Sequence, residues 1–276
     1  MGPVLALASA LSFGMSDFTG GLAARRASAL VVTIGAQIAG LLVLVPALLV
    51  LSGTISGRAL GLGSVAGLLG AGGLVLYLRC MAVGPMGVVS PLAALVGVAV
   101  PVAWGVMISG ETLRPVEVVG ILLGAAAVGC VAYVRGRVRL TDARGPLLAL
   151  AAGAAFGGFF VALDATPPDS GLWPLLGARF TGIALLAVLL LYARRSVPDP
   201  RTSRLILASG VLDMAANVLF LLATRADLLS LSALLASLYP VIVVVLARQL
   251  LAERLTRLQS VGVTAALVAT ALIVLA

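Results

Sequence analysis

The chain has no lysine and no histidine among its 276 residues, only two cysteines, and charge on 10% of its positions. Each shortage removes a class of function. Without lysine there is no phosphate-binding lysine of a Walker A loop, so the chain does not drive transport with ATP by itself. Without histidine, zincin sites, Ser-His-Asp triads and imidazole proton shuttles are excluded. Cys80 and Cys130 both fall inside apolar stretches, where cysteine behaves as a small hydrophobe and not as part of a disulfide framework. No cofactor or metal is expected, and no polar stretch is long enough for a soluble domain.

What the chain does have is apolar surface. Hydrophobic residues make up 62% of it and the mean hydropathy is +1.21, against about half apolar and a quarter charged in a soluble domain. Its solvent is lipid. Roughly 20 apolar residues cross a bilayer core, so the length allows about ten spans with short connections. All 18 basic residues behind the formal net charge of +8 are Arg, and they sit beside apolar runs as orientation signals do. The partner they point to is the lipid bilayer, and nucleic acid is excluded.

Apolar runs and their breakers give ten segments: 3 to 24, 29 to 51, 59 to 83, 86 to 109, 115 to 134, 145 to 165, 172 to 193, 204 to 223, 228 to 251 and 257 to 276. The first lacks a basic n-region and a small-residue cleavage site and contains Asp17, so it is expected to be a retained span and not a signal peptide. Short connections make neighbouring helices antiparallel. Small-xxx-small spacing at Gly63/Gly67, Gly120/Gly124 and Gly153/Gly157 favours close helix approach.

The two halves repeat at an offset of about 142 to 143 residues. Gly35-Ala-Gln-Ile-Ala-Gly40 falls on Gly177-Ala-Arg-Phe-Thr-Gly182, and Ala10 to Gly14 on Gly153 to Gly157. Glu111 falls on Glu253, Gly120 on Gly262, and Ser90, Leu92 and Ala94 on Ser232, Leu234 and Ala236. Chance matching of Ala and Leu does not keep Glu and Gly in register. Five helices per copy is an odd number, so the second copy enters the membrane from the opposite face. The expected fold class is an all-α integral membrane protein of ten transmembrane helices, with residues 1–137 and 138–276 as inverted five-helix repeats. Many secondary transporters have this architecture.

Phe13-Gly14, Gly177-Ala-Arg179-Phe180, the Leu234 to Pro240 run ending Ser-Leu-Tyr-Pro, and Glu253-Arg-Leu-Thr256 with Gln259 and Gly262 resemble the EamA domain of the drug/metabolite transporter superfamily. The second half fits better: Gln37 stands where it has Arg179, and Gly97 to Pro101 follows the Leu238-Tyr-Pro pattern only loosely. The resemblance implies ten helices, a central cavity between the halves, and export or exchange of a small molecule, a metabolite or drug. It names no substrate.

A charge near the bilayer centre costs roughly 2.5 to 3.5 kcal/mol on insertion scales, so the few polar residues at membrane depth are the candidate site. Asp213 and Asn217 are four residues apart on one helix face in segment eight. They form either a cavity wall that binds substrate or proton, or a structural pair against Arg179. Asp17 is a cavity acid or an acid that snorkels to the interface. Arg179, matched by Gln37, bridges Asp213 or meets an anionic substrate. Arg79 snorkels, and Glu111 and Glu253, beside Arg at helix ends, belong to the architecture. Tyr77, Trp104 and Tyr239 line the cavity or pack at the interface. Pro91, Pro101 and Pro240 interrupt segments four and nine, as hinges or gates do.

The expected function is secondary transport by alternating access, around a cavity walled by segments one, three, six and eight and closed by four and nine. A passive facilitator shares these walls; an enzyme acting on lipid would need paired acidic motifs or an activated nucleophile, and neither is present. The expected setting is the plasma membrane of a bacterium, with the chain as monomer or homodimer. Arg crowds the odd-numbered connections, with only Arg58, Arg114 and Arg225 at the even ones. The positive-inside rule therefore puts both termini outside, whereas the family resemblance implies cytoplasmic termini.

Overall fold

The computed structural model describes residues 1–83, 86–110, 112–132, 144–192, 198–251 and 257–275. Its helices are α1 (Gly2–Ala24), α2 (Ala29–Val50), α3 (Gly57–Val83), α4 (Met86–Met107), α5 (Pro115–Ala132), α6 (Arg144–Asp164), α7 (Trp173–Leu191), α8 (Pro200–Ala226), α9 (Leu229–Ala236), α10 (Tyr239–Leu251) and α11 (Arg257–Leu275). There is no strand among the described residues. Apolar sequence in lipid leaves the backbone no other way to satisfy its own N–H and C=O groups except a closed barrel.

Each predicted segment is helical, with two differences. Segment nine is two helices, α9 and α10, with Ser237 and Leu238 between them. Pro240 is the second residue of α10, in the first turn, where a helix needs no N–H from it. The eighth helix starts at Pro200, earlier than its apolar run, because the Asp199 side chain accepts a hydrogen bond from the Thr202 N–H at 3.2 Å and caps it. By contrast, α4 runs unbroken through Pro91 and Pro101, so these prolines do not interrupt it as expected. A bundle can re-satisfy the carbonyl that a proline frees. Glu111 and Glu253 lie outside the described residues.

Six stretches are long and apolar enough to cross a bilayer: Ala29–Val50, Gly57–Ala82, Leu147–Asp164, Trp173–Leu191, Pro200–Ala226 and Leu231–Leu250. The chain is a multi-pass membrane protein. α1 is not in this set, because Ser9, Ser12, Ser16, Asp17 and Thr19 dilute its hydropathy. Two of these residues serve packing. Ser9 Oγ donates to the Ala216 carbonyl and Ser16 Oγ to the Ser209 carbonyl, both at 2.8 Å, while Ser209 Oγ donates back to the Ser16 carbonyl. These bonds zip α1 antiparallel to α8.

The rest of the bundle is built on small residues. α3 lies against α6 and α7, α2 against α8, α4 against α6, and α5 against α11. A Cβ on Gly67 would overlap the Ala178 carbonyl oxygen, and one on Gly210 would overlap that of Ala36. Lipid tails are as apolar as leucine, so such close approach supplies the attraction that burial supplies in water. Outside the helices, Thr54 N–H donates to the Asp169 carbonyl at 2.9 Å and Trp173 Nε1 to the Gly53 carbonyl at 3.1 Å. The α2–α3 and α6–α7 connections are thus joined at one end of the bundle. Gly171, at φ 53°, makes the turn there that a side chain would strain.

Candidate functional site

Between α1, α2, α3, α4, α6, α7, α8 and the α9–α10 break lies a cavity of about 850 Å³, counted out to its mouth. Asp17, Gln37, Arg179, Asp213, Asn217 and Tyr239 all line it. Residues far apart in sequence therefore converge on one space. The α9–α10 break contributes Ser237 and Tyr239, so the interruption of segment nine faces the same cavity.

Arg179 is the hub of the polar wall. Its guanidinium donates to Gln37 Oε1 and, at 2.5 Å, to Asp213 Oδ2. The Arg179 side chain is 5% exposed and that of Asp213 18%, so the bridge is sheltered with one edge on the cavity. Gly40 makes room for it: a Cβ there would stand 3.2 Å from Arg179 Cζ. Of the two readings of Arg179, the geometry is that of a bridge to Asp213. Asn217 Nδ2 donates to the Asp213 carbonyl at 2.8 Å, one turn back along α8.

Asp17 is held differently. Its Oδ2 accepts from the Tyr77 hydroxyl at 2.7 Å, and no Arg among the described residues bridges it. Tyr77 is fully buried on α3 and sets the carboxylate without lining the cavity itself. Its ring meets Phe156 edge-on, with centroids 5.6 Å apart. Asp17 is only partly buried, and what exposes it is the cavity.

Other sequence candidates stand apart. Trp104, in the last turn of α4, is 40% exposed and does not line the cavity. An indole with one polar edge suits a bilayer interface. Pro101 and Pro240 are buried outside the lining, and the Pro91 side chain lies outside what the structure describes. The aromatic part of the lining is one that charge-based reasoning missed: Phe13, Phe156, Phe159 and Phe160. Phe160 packs on Phe159, Phe220 and Phe13 with centroids 5.4, 4.3 and 6.1 Å apart. Apart from Phe13 in the family motif and its repeat mate Phe156, the sequence signal was three phenylalanines within five residues of α6, which an apolar helix also shows when it faces lipid.

No curated protein matches the sequence. Among solved structures 28 chains match. One crystal structure covers 97% of this chain and 96% of its own, with a TM-score of 0.70 at 19% identity, a likeness that speaks for the fold alone. The sequence model of the EamA-like transporter family matches residues 143–275, the half in which the motifs are fuller. Residues 143–275 thus form a domain of the EamA-like transporter family.

Proposed function

We propose that the chain is a secondary transporter of ten spans, built as inverted repeats of residues 1–137 and 138–276. It moves a small molecule by alternating access around the cavity at their interface. The observation that carries this reading is the pairing of repeat mates. Gln37 and Arg179, 142 residues apart, hydrogen-bond to each other, as equivalent groups do when they meet on a two-fold axis. Around that axis the packing repeats. Gly67 nests on the Ala178 carbonyl as Gly210 nests on that of Ala36, and Gly40 makes room for Arg179 as Gly182 does beside Gln37. Gly14 sits against Ile242 and the Tyr239 carbonyl as Gly157 sits against Val100 and the Gly97 carbonyl.

Inversion is supported by the ends. The α2–α3 and α6–α7 connections share one end of the bundle, which five-helix repeats of opposite sense require. Halves that meet partly through glycine-on-carbonyl contacts, as at Gly67 and Gly210, can slide or rock as units. Asp17 and the Asp213–Arg179–Gln37 group would bind substrate or a coupled proton between the two rocking states. With no Walker A lysine in this chain, the driving force is a gradient.

Reconstitution into proteoliposomes tests this. Saturable, counterflow-stimulated flux is expected from the wild type, and flux that rises linearly with concentration without trans-stimulation would mark a passive facilitator. Asp17→Asn and Asp213→Asn should each lower flux at least tenfold. Full flux from both would remove the cavity acids from the mechanism.

A further inference from the structure

The two ends of this cavity differ although they come from matched positions, and the difference selects a ligand. Asp17 and Tyr77 are the repeat mates of Phe160 and Phe220. One pair is joined by a 2.7 Å hydrogen bond and the other by ring contact at 4.3 Å. One end is therefore acidic and the other aromatic. Between them Arg179 is already engaged by Asp213 and Gln37, so its positive charge is not offered to an anion. Asp17 has no such partner among the described residues, and its hydrogen bond from Tyr77 leaves most of the carboxylate's acceptor capacity open.

A second, independent feature lies toward the aromatic end. Asn217, 5% exposed, spends its Nδ2 on the Asp213 carbonyl. That carbonyl can only accept, so the bond fixes which way the amide faces. Asn217 Oδ1 then accepts no hydrogen bond from any described residue, although a buried acceptor is normally paired. The α1–α8 bonds give the spacing. Ser16 stands opposite Ser209, so Asp17 is level with Ala208 and Asn217 lies about nine residues, or about 13 Å, further along.

We propose that the cavity takes arylalkyl amines. The protonated amine sits on Asp17, the ring lies against Phe13, Phe159 and Phe160, and an N–H or O–H on the ring donates to Asn217 Oδ1. The inference rests on the transport reading for the route, but its ligand chemistry is tested by binding alone. Carboxylate and ring faces both favour a cation, and an unpaired acceptor discriminates by the donor that it is given.

Tryptamine is the probe. Its controls are indole-3-propionate, the same shape with an anionic end, and phenethylamine, which keeps the amine and lacks the ring N–H. Titrations of detergent-purified protein by calorimetry should show saturable tryptamine binding, at least tenfold tighter than indole-3-propionate. Asp17→Asn keeps an acceptor for Tyr77 and should weaken tryptamine at least tenfold. Asn217→Leu should erase the preference for tryptamine over phenethylamine while leaving phenethylamine binding in place. Absence of saturable tryptamine binding, equal binding of the anion, or unchanged binding in Asp17→Asn overturns the proposal; if Asp17→Asn does not fold, the wild-type comparison of cation with anion decides it. Tryptamine that binds but does not cross proteoliposomes sinks the transport reading and leaves the ligand class standing. Flux of indole-3-propionate without tryptamine does the reverse.

Discussion

Arg179 is buried with its charge intact because Asp213 and Gln37 take its donors. Removing the cation alone strands Asp213, with its side chain 18% exposed. Breaking a buried pair from one side costs about 3 kcal/mol, whereas replacing both partners with apolar groups is often neutral. Arg179→Met should therefore lower unfolding stability in detergent by about that much, and Arg179→Met with Asp213→Leu should recover most of it. Additive losses in the double variant would show that the two side chains are not coupled. These residues were legible in the sequence because a charge inside an apolar run stands out against its neighbours. What they do was less so: the bridge depends on Gly40 leaving space across a helix pair, which no spacing within α2 reveals. The phenylalanine wall was hidden for the opposite reason, since an aromatic on an apolar helix looks alike whether it faces lipid, core or cavity.

Glycine decides how closely elements approach, and its effect depends on what lies opposite. Gly67 and Gly210 face carbonyl oxygens that a Cβ would overlap, while Gly72, on the same helix as Gly67, has nothing within 4 Å. Gly67→Ala and Gly210→Ala should each cost about 1–3 kcal/mol by overpacking. Gly72→Ala should stabilise α3 by a few tenths to about 1 kcal/mol through helix propensity. Equal effects of all three on detergent unfolding would refute the glycine-on-carbonyl packing. The cap of α8 makes a second prediction. The Asp199 carboxyl lies below the usual carboxylate range, held there by the Thr202 side chain first, then by the backbone N–H groups of Thr202 and Arg201 and by Arg26. A depressed folded-state pKa contributes stability above the unfolded value and loses it as pH falls through the folded one. Asp199→Ala should therefore melt below wild type at neutral pH, and the two should converge in acid. Elements were the most legible level of the fold, because a run of apolar residues in lipid has few alternatives to a helix. The reading missed helical residues that are polar by composition, as at Pro200 to Arg204, where a cap and not hydropathy starts the helix.

At the scale of the whole molecule, the sense of the second repeat fixes which connections share a face. Thr54 and Asp169 are bonded, so the α2–α3 and α6–α7 connections lie together, and the α1–α2 connection, one span away, lies at the other end. The Arg-rich connections, including Arg25 and Arg26 after α1, fall at that other end by the same count of helices. Positive-inside orientation then makes it the cytoplasmic face. In a Cys80→Ser, Cys130→Ser background, Ile55→Cys and Pro168→Cys should react with a membrane-impermeant maleimide on intact cells. Ser28→Cys should react only after permeabilisation. Ile55 and Pro168 reacting from opposite faces would refute the inverted repeat. Ser28 reacting on intact cells, with Ile55 and Pro168 protected, would keep the inversion and turn the whole bundle over. The termini would then be cytoplasmic, as the family resemblance implies, and the Arg distribution would answer to something other than insertion.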